Sequence, residues 1–497
     1  MKNIIWRCLK ALPVLLLVFT LPAQASTGQM PDLTGNPLSW AIIASFVVAY
    51  VGIIWGEQHE LSKFIPVSIG AGMIWFFVSI VYHTVEDPEL IKLMEEGFGH
   101  SMSETGQLLV FLIVAMTYVV TMEERRVFEV IRYRLLNAGL SQRKIFWVTG
   151  GLAFCLSPFL DNLTTALALA SVVIAVGNAT RDREFVVLSA INIVVAANAG
   201  GAFSPFGDIT TLMVWQAGKV DFIEFYSIFI PSLVNWLIPA LMMSFFVKQS
   251  MAEGKNELVR LKRGALVVVF LFGITIALAV SAHVFLELPP VIGMITGIGL
   301  LGLYGYFFLT RHEHKHWQPP VLPHDLSSEH RKHLEEHYKP KHKPFNPIIS
   351  VKRAEWDTLL FFVGILTAVA GLAQVGFLFR VSEYMYGTIG ATWTNIAVGI
   401  LSSVVDNIPV MSAVLQMNPD MVHGQWMLVT LTAGVGGSLL SLGSAAGVAL
   451  MGAARILDND GNEVRVYTFM SHLRWTPVIA LGYGASIWVH TLLHAMS

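Results

Sequence analysis

Ser157-Pro158-Phe159-Leu160-Asp161-Asn162-Leu163-Thr164-Thr165 sets a carboxylate and a carboxamide inside a long apolar run. Downstream comes Gly200-Gly201-Ala202-Phe203-Ser204-Pro205-Phe206-Gly207-Asp208-Ile209-Thr210-Thr211. The same order of events returns later: Ser402-Ser403-Val404-Val405-Asp406-Asn407-Ile408-Pro409, then Gly436-Gly437-Ser438-Leu439-Leu440-Ser441-Leu442-Gly443-Ser444. A charged side chain in hydrocarbon costs roughly 2.5–3.5 kcal/mol on the translocon insertion scale. A chain that carries this cost twice, in matching places, has a use for it.

The surroundings of these stretches are those of a membrane protein. The apolar fraction is 54% and the charged fraction 13%, against roughly a quarter charged in soluble chains. Several runs are long enough to span a bilayer. The net charge of −2 carries no information about partners, and no nucleic-acid partner is expected. At the N-terminus, Lys2, Arg7 and Lys10 precede an apolar core, Ala11 to Leu21, and Ala23-Gln24-Ala25 offers small residues for cleavage. Residues 1–25 read as a signal peptide, with a short uncleaved helix as the alternative; Pro13 inside the core disfavours that helix. Cys8 and Cys155 are the only cysteines, so neither a disulfide nor a thiolate metal site is expected.

Charge asymmetry sets the expected topology. Spanning helices fall at 38–55, 64–82 and 107–122, with an acidic segment at 83–106 and a basic one at 123–144. The positive-inside rule puts 123–144 in the cytoplasm and 83–106 outside, and the mature N-terminus in the periplasm of a bacterial inner membrane. Residues 145–178 have basic flanks on both sides, so they read as a re-entrant helical hairpin with Asp161-Asn162 at its tip. Residues 185–217 are broken by Gly200-Gly201 and Pro205, and read as one crossing made of two half-helices. Residues 222–246 return to a basic linker at 247–263. Helices at 264–285 and 290–309, a His-rich cytoplasmic loop at 311–353 and a helix at 356–376 follow. A second hairpin at 393–417 carries Asp406-Asn407, opens outward and precedes a second broken helix at 425–454. A last helix covers 476–495. The expected fold is therefore an all-α polytopic membrane protein of two inverted repeats, 38–246 and 264–495. Each has five crossings plus one re-entrant hairpin. Inverted repeats with broken helices mark secondary transporters. No phosphate-binding loop of the Gly-rich, Lys-Ser/Thr type occurs, and no cofactor is expected.

The cluster Asp161-Asn162-Leu163-Thr164-Thr165, together with Ser204 to Thr211, resembles the NhaD-type sodium/proton antiporters of the ion transporter superfamily. That superfamily also holds arsenite permeases and divalent-anion symporters. The resemblance covers most of 38–495. It implies proton-driven export of Na+ and Li+, a part in sodium and alkaline pH tolerance, a homodimer, and elevator-like movement of the hairpin-bearing domain. By motif it points to Ser157, Asp161, Asn162, Asn198, Asp208, Thr210 and Thr211, with Thr164 and Thr165 alongside. In the second half it points to Asn407, Ser441 and Ser444, and Asp406 matches Asp161 by internal repeat. The halves differ where Asp208 faces Ser444.

These residue types suit the chemistry. Na+ and Li+ are hard cations that prefer oxygen ligands. Helix breaks free backbone carbonyls, while Asn, Ser and Thr add neutral oxygens. Burial favours a protonated carboxyl and a nearby cation favours the ionised one, so one buried Asp can hold either ion. Asp161, Asp208 and Asp406 are the expected exchange carboxylates, with Asp161 and Asp208 the leading pair. Plainer readings exist for each residue. Asp-Asn before Leu163 or Ile408 is also a helix N-cap, with Pro409 fitting a first turn. The plainer alternative for Asp208 is a loop carboxylate, for the glycine pairs close helix packing, and for the serines interhelical hydrogen bonds. The eight histidines between Arg311 and Pro344 lack a fixed ligand spacing and read as a solvated linker.

Two rival functions use the same residues. An arsenite or anion transporter shares the scaffold, but carboxylates at hairpin tips oppose an anion. An intramembrane aspartyl protease pairing Asp161 with Asp208 finds Pro205 where its motif needs glycine, and leaves Asp406 without a role.

Overall fold

The computed structural model describes residues 31–59, 61–250, 259–309, 347–457 and 462–494. The expected signal peptide, most of the His-rich loop and part of the 247–263 linker lie outside them. Among the described residues, nine helices are long and apolar enough to cross a membrane. In chain order the helices are α1 (Ser39–Gln58), α2 (Phe64–Val85), α3 (Pro88–Glu124), α4 (Val127–Asn137) and α5 (Gln142–Leu156). Then come α6 (Asn162–Thr180), α7 (Arg183–Gly201), α8 (Ile209–Gln216), α9 (Phe229–Ser244), α10 (Ala265–Leu286) and α11 (Val291–Tyr304). The later ones are α12 (Pro347–Lys352), α13 (Trp356–Gln374), α14 (Phe377–Ser382), α15 (Ala391–Leu401), α16 (Asn407–Met417), α17 (His423–Gly436) and α18 (Ala445–Ala453). A two-stranded ribbon, β1 (Arg455–Leu457) and β2 (Glu463–Arg465), precedes α19 (Phe469–Leu473) and α20 (Thr476–Leu493).

Three differences from the sequence reading have physical reasons. The acidic stretch 83–106, expected as an external segment, belongs mostly to α3, which runs 37 residues without interruption. Pro88 stands at its first position, Asp87 accepts from the Glu89 amide at 3.0 Å, and no further proline follows before Glu124. At 1.5 Å per residue it is about 55 Å long, well beyond the hydrocarbon thickness. The basic segment 123–144 contains α4 rather than a plain loop. The all-α expectation omits the ribbon, whose strands pair antiparallel with Arg455 opposite Arg465 and Ile456 opposite Val464. Elsewhere among the described residues, helices fall at the expected spanning segments. The broken stretch 185–217 resolves into α7 and α8, and 425–454 into α17 and α18.

The chain forms two compact units, one holding the chain through Gly106 with Ile131–Leu258 and Asp357–Ser497, the other Gln107–Val130 and Val259–Trp356. In the first unit, α1, α2 and α13 bury Ile42, Ile74, Val78, Tyr82 and Val369 together. Tyr82 donates its hydroxyl to the Gln374 carbonyl at 2.6 Å, and Trp75 donates to the Thr367 carbonyl at 2.8 Å. Among the nine helices of membrane-crossing length, α7 is the most deeply buried. Such a helix needs no polar face, and its sequence between Phe185 and Ala197 has only Ser189 and Asn192 as polar residues. In the second unit, Tyr118 on α3 donates to the Gly297 carbonyl of α11 at 2.8 Å and accepts from Thr275 of α10 at 2.9 Å. Gly293 and Gly297 let α11 press against α10 at Ala279 and Thr275.

Glycine position decides packing along α2 and α13. A Cβ on Gly371 would collide with Ile74, whereas one on Gly72 meets nothing within 4 Å. Gly371→Val is expected to destabilise the protein by about 1–3 kcal/mol through overpacking. Gly72→Ala is expected to be neutral or mildly stabilising. Thermal unfolding of the purified variants in detergent checks both.

Candidate functional site

Two helix breaks and two turns build the site, and both pairs lie in the first unit. The first break, 202–208, depends on glycines that let backbone meet backbone. A Cβ on Gly201 would sit 2.9 Å from the Gly207 carbonyl oxygen, and one on Gly207 would sit 2.9 Å from that of Ser157. Ser157 donates to the Ala197 carbonyl at 2.7 Å, and Ser204 donates to the Pro158 carbonyl at 2.9 Å. These bonds pin the turn between α5 and α6 to the break after α7. The second break repeats the device. A Cβ on Gly437 would sit 2.7 Å from the Gly443 carbonyl oxygen, and Ser402 donates to the Ala433 carbonyl at 2.9 Å. Ser402 thus occupies in the second half the place of Ser157 in the first. The repeat register that pairs Asp161 with Asp406 pairs these two serines as well, which is the signal that could have identified Ser402.

Each helix that starts at a turn or break needs its first amides satisfied. Asp161 caps α6 by accepting from the Thr164 amide at 2.8 Å and the Thr164 hydroxyl at 2.7 Å. Asp208 caps α8 through the Thr210 amide at 3.2 Å, and Ser444 caps α18 through the Gly447 amide at 3.3 Å. Asp406 stands at the N-cap of α16 without a side-chain capping bond. The expected cap is therefore present at Asp161 and not at Asp406. Asp208 and Ser444, read from sequence as a loop carboxylate and an interhelical hydrogen-bonding serine, also cap helices.

A polar network joins the capped ends. Asp208 Oδ2 accepts from Asn407 Nδ2 at 2.8 Å and from Asn162 Nδ2 at 3.3 Å. Asn162 Nδ2 also donates to Asn198 Oδ1 at 2.9 Å, and Asn198 Nδ2 donates to Ser444 Oγ at 3.1 Å. Asp208 is 7% exposed and Asn198 wholly buried. One carboxylate oxygen thus gathers amides from both halves of the sequence. Asp406 is the second carboxylate within electrostatic reach of Asp208. The sequence reading puts Asp161 and Asp208 first as a pair. In the structure the side chains bonded to Asp208 are those of the two asparagines, while Asp161 is engaged with Thr164.

The remaining predicted residues sort by what they touch. Thr211 donates to the Ser204 and Asp208 carbonyls, both at 2.7 Å, and so braces the break. Thr164 serves the Asp161 cap, and Ser441 donates to the Met451 sulfur at 3.2 Å, outside the network. The hydroxyls of Thr165 and Thr210 are buried with no hydrogen-bond partner among the described residues. Buried oxygens in native folds ordinarily have partners. These two stand in the first turns of the helices that start at Asn162 and at Ile209. The donor set is one bonded carboxylate amid neutral amide and hydroxyl oxygens, which fits a hard cation of low charge. Among the described residues, no group of three or more His, Cys, Asp or Glu could hold a metal ion.

Comparison with known proteins places these features in context. A family model described as "Citrate transporter" matches residues 40–434. The chain is 48% identical over 496 residues, covering 98% of both chains, to "Na(+)/H(+) antiporter NhaD" of Alkalimonas amylolytica. It is also 48% identical, over 97% of this chain and 98% of the relative, to the protein of that name from Vibrio cholerae. More distantly, it is 29% identical over 84% of its length, and 67% of the relative's, to "Sodium/proton antiporter 1" of Arabidopsis thaliana.

The serine braces yield a matched pair of predictions. Ser402→Ala and Ser157→Ala each remove one buried hydrogen bond, and each is expected to cost about 1 kcal/mol of stability. Parallel thermal melts check this. Similar losses are expected, and an unaffected Ser402→Ala would show that the second turn is not held as the first is.

Proposed function

Because this chain belongs to the NhaD-type sodium/proton antiporters, within the family described as citrate transporters, we propose that it exports Na+ and Li+ in exchange for H+ across a bacterial inner membrane. It is a transporter and not an enzyme, and the exchange needs no cofactor. The observation that carries this reading is Asp208 Oδ2, buried and bonded to Asn162 and Asn407. A carboxylate in that setting accepts a proton when no cation is present and releases it when Na+ arrives, because only one positive charge is needed to neutralise it. Asn162, Asn407, Asn198, Ser444, Thr165 and Thr210 supply the neutral oxygens around it. Asp406 adds a second negative charge within reach, and Asp161 a third at the matching turn. Li+ has the same oxygen preference as Na+.

The finer architecture belongs to the same proposal. The α5–α6 and α15–α16 pairs are re-entrant hairpins, and the halves 38–246 and 264–495 are inverted repeats. Support comes from the repeated brace at Ser157 and Ser402 and from the repeated glycine pairs. The mature N-terminus lies in the periplasm after cleavage within 1–25, and the active form is a homodimer that moves its hairpin-bearing part as an elevator. Growth in sodium at alkaline pH is the expected benefit. The family description names citrate, and an anion such as citrate or arsenite would meet Asp208 and Asp406 instead of a cationic group. Protease chemistry would need Asp161 and Asp208 as a pair, whereas Asp161 is bonded to Thr164.

The test uses everted vesicles carrying a proton gradient, to which Na+, Li+ or arsenite is added separately. Na+ and Li+ are expected to dissipate the gradient; dissipation by arsenite alone would reject the proposal. Asp208→Asn is expected to reduce Na+-driven dissipation to background with protein still in the membrane. Asp161→Asn keeps a good N-cap and removes only the charge. It and Asp406→Asn are expected to abolish exchange too, and full activity in either variant would remove that carboxylate from the site.

A further inference from the structure

The two breaks are built alike but braced differently. In the first, Ser204 within the broken segment and Thr211 in the first turn of α8 tie it down. By the register that pairs Gly201 with Gly437 and Asp208 with Ser444, the corresponding residues of the second break are Leu440 and Gly447. Neither has a polar side chain. The carbonyls freed where α17 ends are met instead by residues after the ribbon. His472 Nε2 lies 3.0 Å from the Ser438 carbonyl oxygen, and the Thr476 hydroxyl donates to the Leu439 carbonyl at 2.8 Å. Backbone groups at such breaks need partners within the protein.

The chemistry fixes how His472 is protonated. A carbonyl only accepts, so Nε2 carries the hydrogen and Nδ1 offers a lone pair. Tyr467 therefore donates its hydroxyl to Nδ1, at 2.8 Å. Both side chains are fully buried. Burial pushes the pKa of His472 down to about 4, in keeping with the neutral imidazole that the two hydrogen bonds require. The helix that carries it is itself secured, since Thr468 and Ser471 form a capping box. The segment is also tied to the first half: the Leu457 amide of β1 donates to Asn178 of α6 at 2.9 Å.

We propose that His472 is a positioning residue for the cation site, holding the second break so that Ser444 and Asn407 meet Asn198 and Asp208. The path is short. His472 fixes Ser438; within the same loop, Gly443 packs against the backbone of Ser402 and Ser403. That turn leads into Asn407, which donates to Asp208. The inference rests on the reading of this network as the cation site. Asp208 gains one of its two asparagine partners only if the second break stays in register.

The experiment compares His472→Leu, which removes both hydrogen bonds, with His472→Gln, whose amide can still donate to Ser438. Purified full-length proteins are titrated with Na+ by calorimetry, and amide hydrogen exchange is followed in the peptide spanning 437–444. His472→Leu is expected to weaken Na+ binding about tenfold, the effect of leaving one buried carbonyl unsatisfied, and to speed exchange across 437–444. His472→Gln is expected to restore affinity to within about threefold of wild type. If His472→Leu does not fold, Tyr467→Phe keeps the ring and removes only the donor to Nδ1, and is expected to weaken Na+ binding about threefold. Unchanged affinity and exchange in the folded variants, or equal loss in the Leu and Gln variants, overturns the proposal. A wild type that fails to exchange Na+ for H+ in vesicles would reject the antiport reading instead, while hydrogen exchange and Na+ titration still decide the role of His472.

Discussion

One hydrogen-bonded carboxylate organises this molecule. Asp208 lies in a break between helices of a chain made for hydrocarbon, where an isolated negative charge is costly. It is tolerable because Asn407 and Asn162 donate to the same oxygen and the Thr210 amide donates to the other. Most local features serve that placement. The glycines at 201 and 207 allow the backbone to fold back, Ser157 and Ser204 pin the neighbouring turn, and Thr211 locks the break from the first turn of α8. The second half contributes Asn407 and, through Ser444, an anchor for Asn198.

The near-repetition of the halves makes their differences informative. Where the first break ends in Asp208, the second ends in Ser444, so only one of the two breaks brings a carboxylate to the meeting point. Asp161 gives its oxygens to Thr164, while Asp406 makes no side-chain capping bond. On the proposed reading, a carboxylate amid several neutral oxygens suits a monovalent cation, whereas a fully acidic cage would favour a divalent ion. The unpartnered hydroxyls of Thr165 and Thr210 fit the same picture, since they are oxygens already placed and not spent on the fold.

The sequence made the site legible wherever polarity broke an apolar run. Asp161-Asn162, Asp406-Asn407 and the two glycine pairs stand out against their surroundings, and most spanning helices follow from hydropathy. What stayed hidden was partnership. Ser402 looks like Ser403 on paper, and only its reach to the Ala433 carbonyl separates them. Thr211 and Ser441 read as ligands by type, yet one braces its own break and the other touches Met451. The acidic run after Val85 reads as an external segment between two helices because charge outweighs apolar pattern there, but Asp87 and Pro88 start a helix that no later proline ends. The ribbon at 455–465 is too short to show a strand period, and His472 has no local feature to mark it. Its importance comes from a carbonyl 34 residues away in sequence.

The central claim is that Asp208 holds a proton or an alkali cation, but not both. Proton release on adding Na+ to purified protein in weakly buffered solution, read with a pH indicator, tests it most directly. The account predicts that the wild type releases protons in step with Na+ binding and that Asp208→Asn releases none. Na+ binding by the wild type without proton release, or undiminished release from the variant, would contradict it.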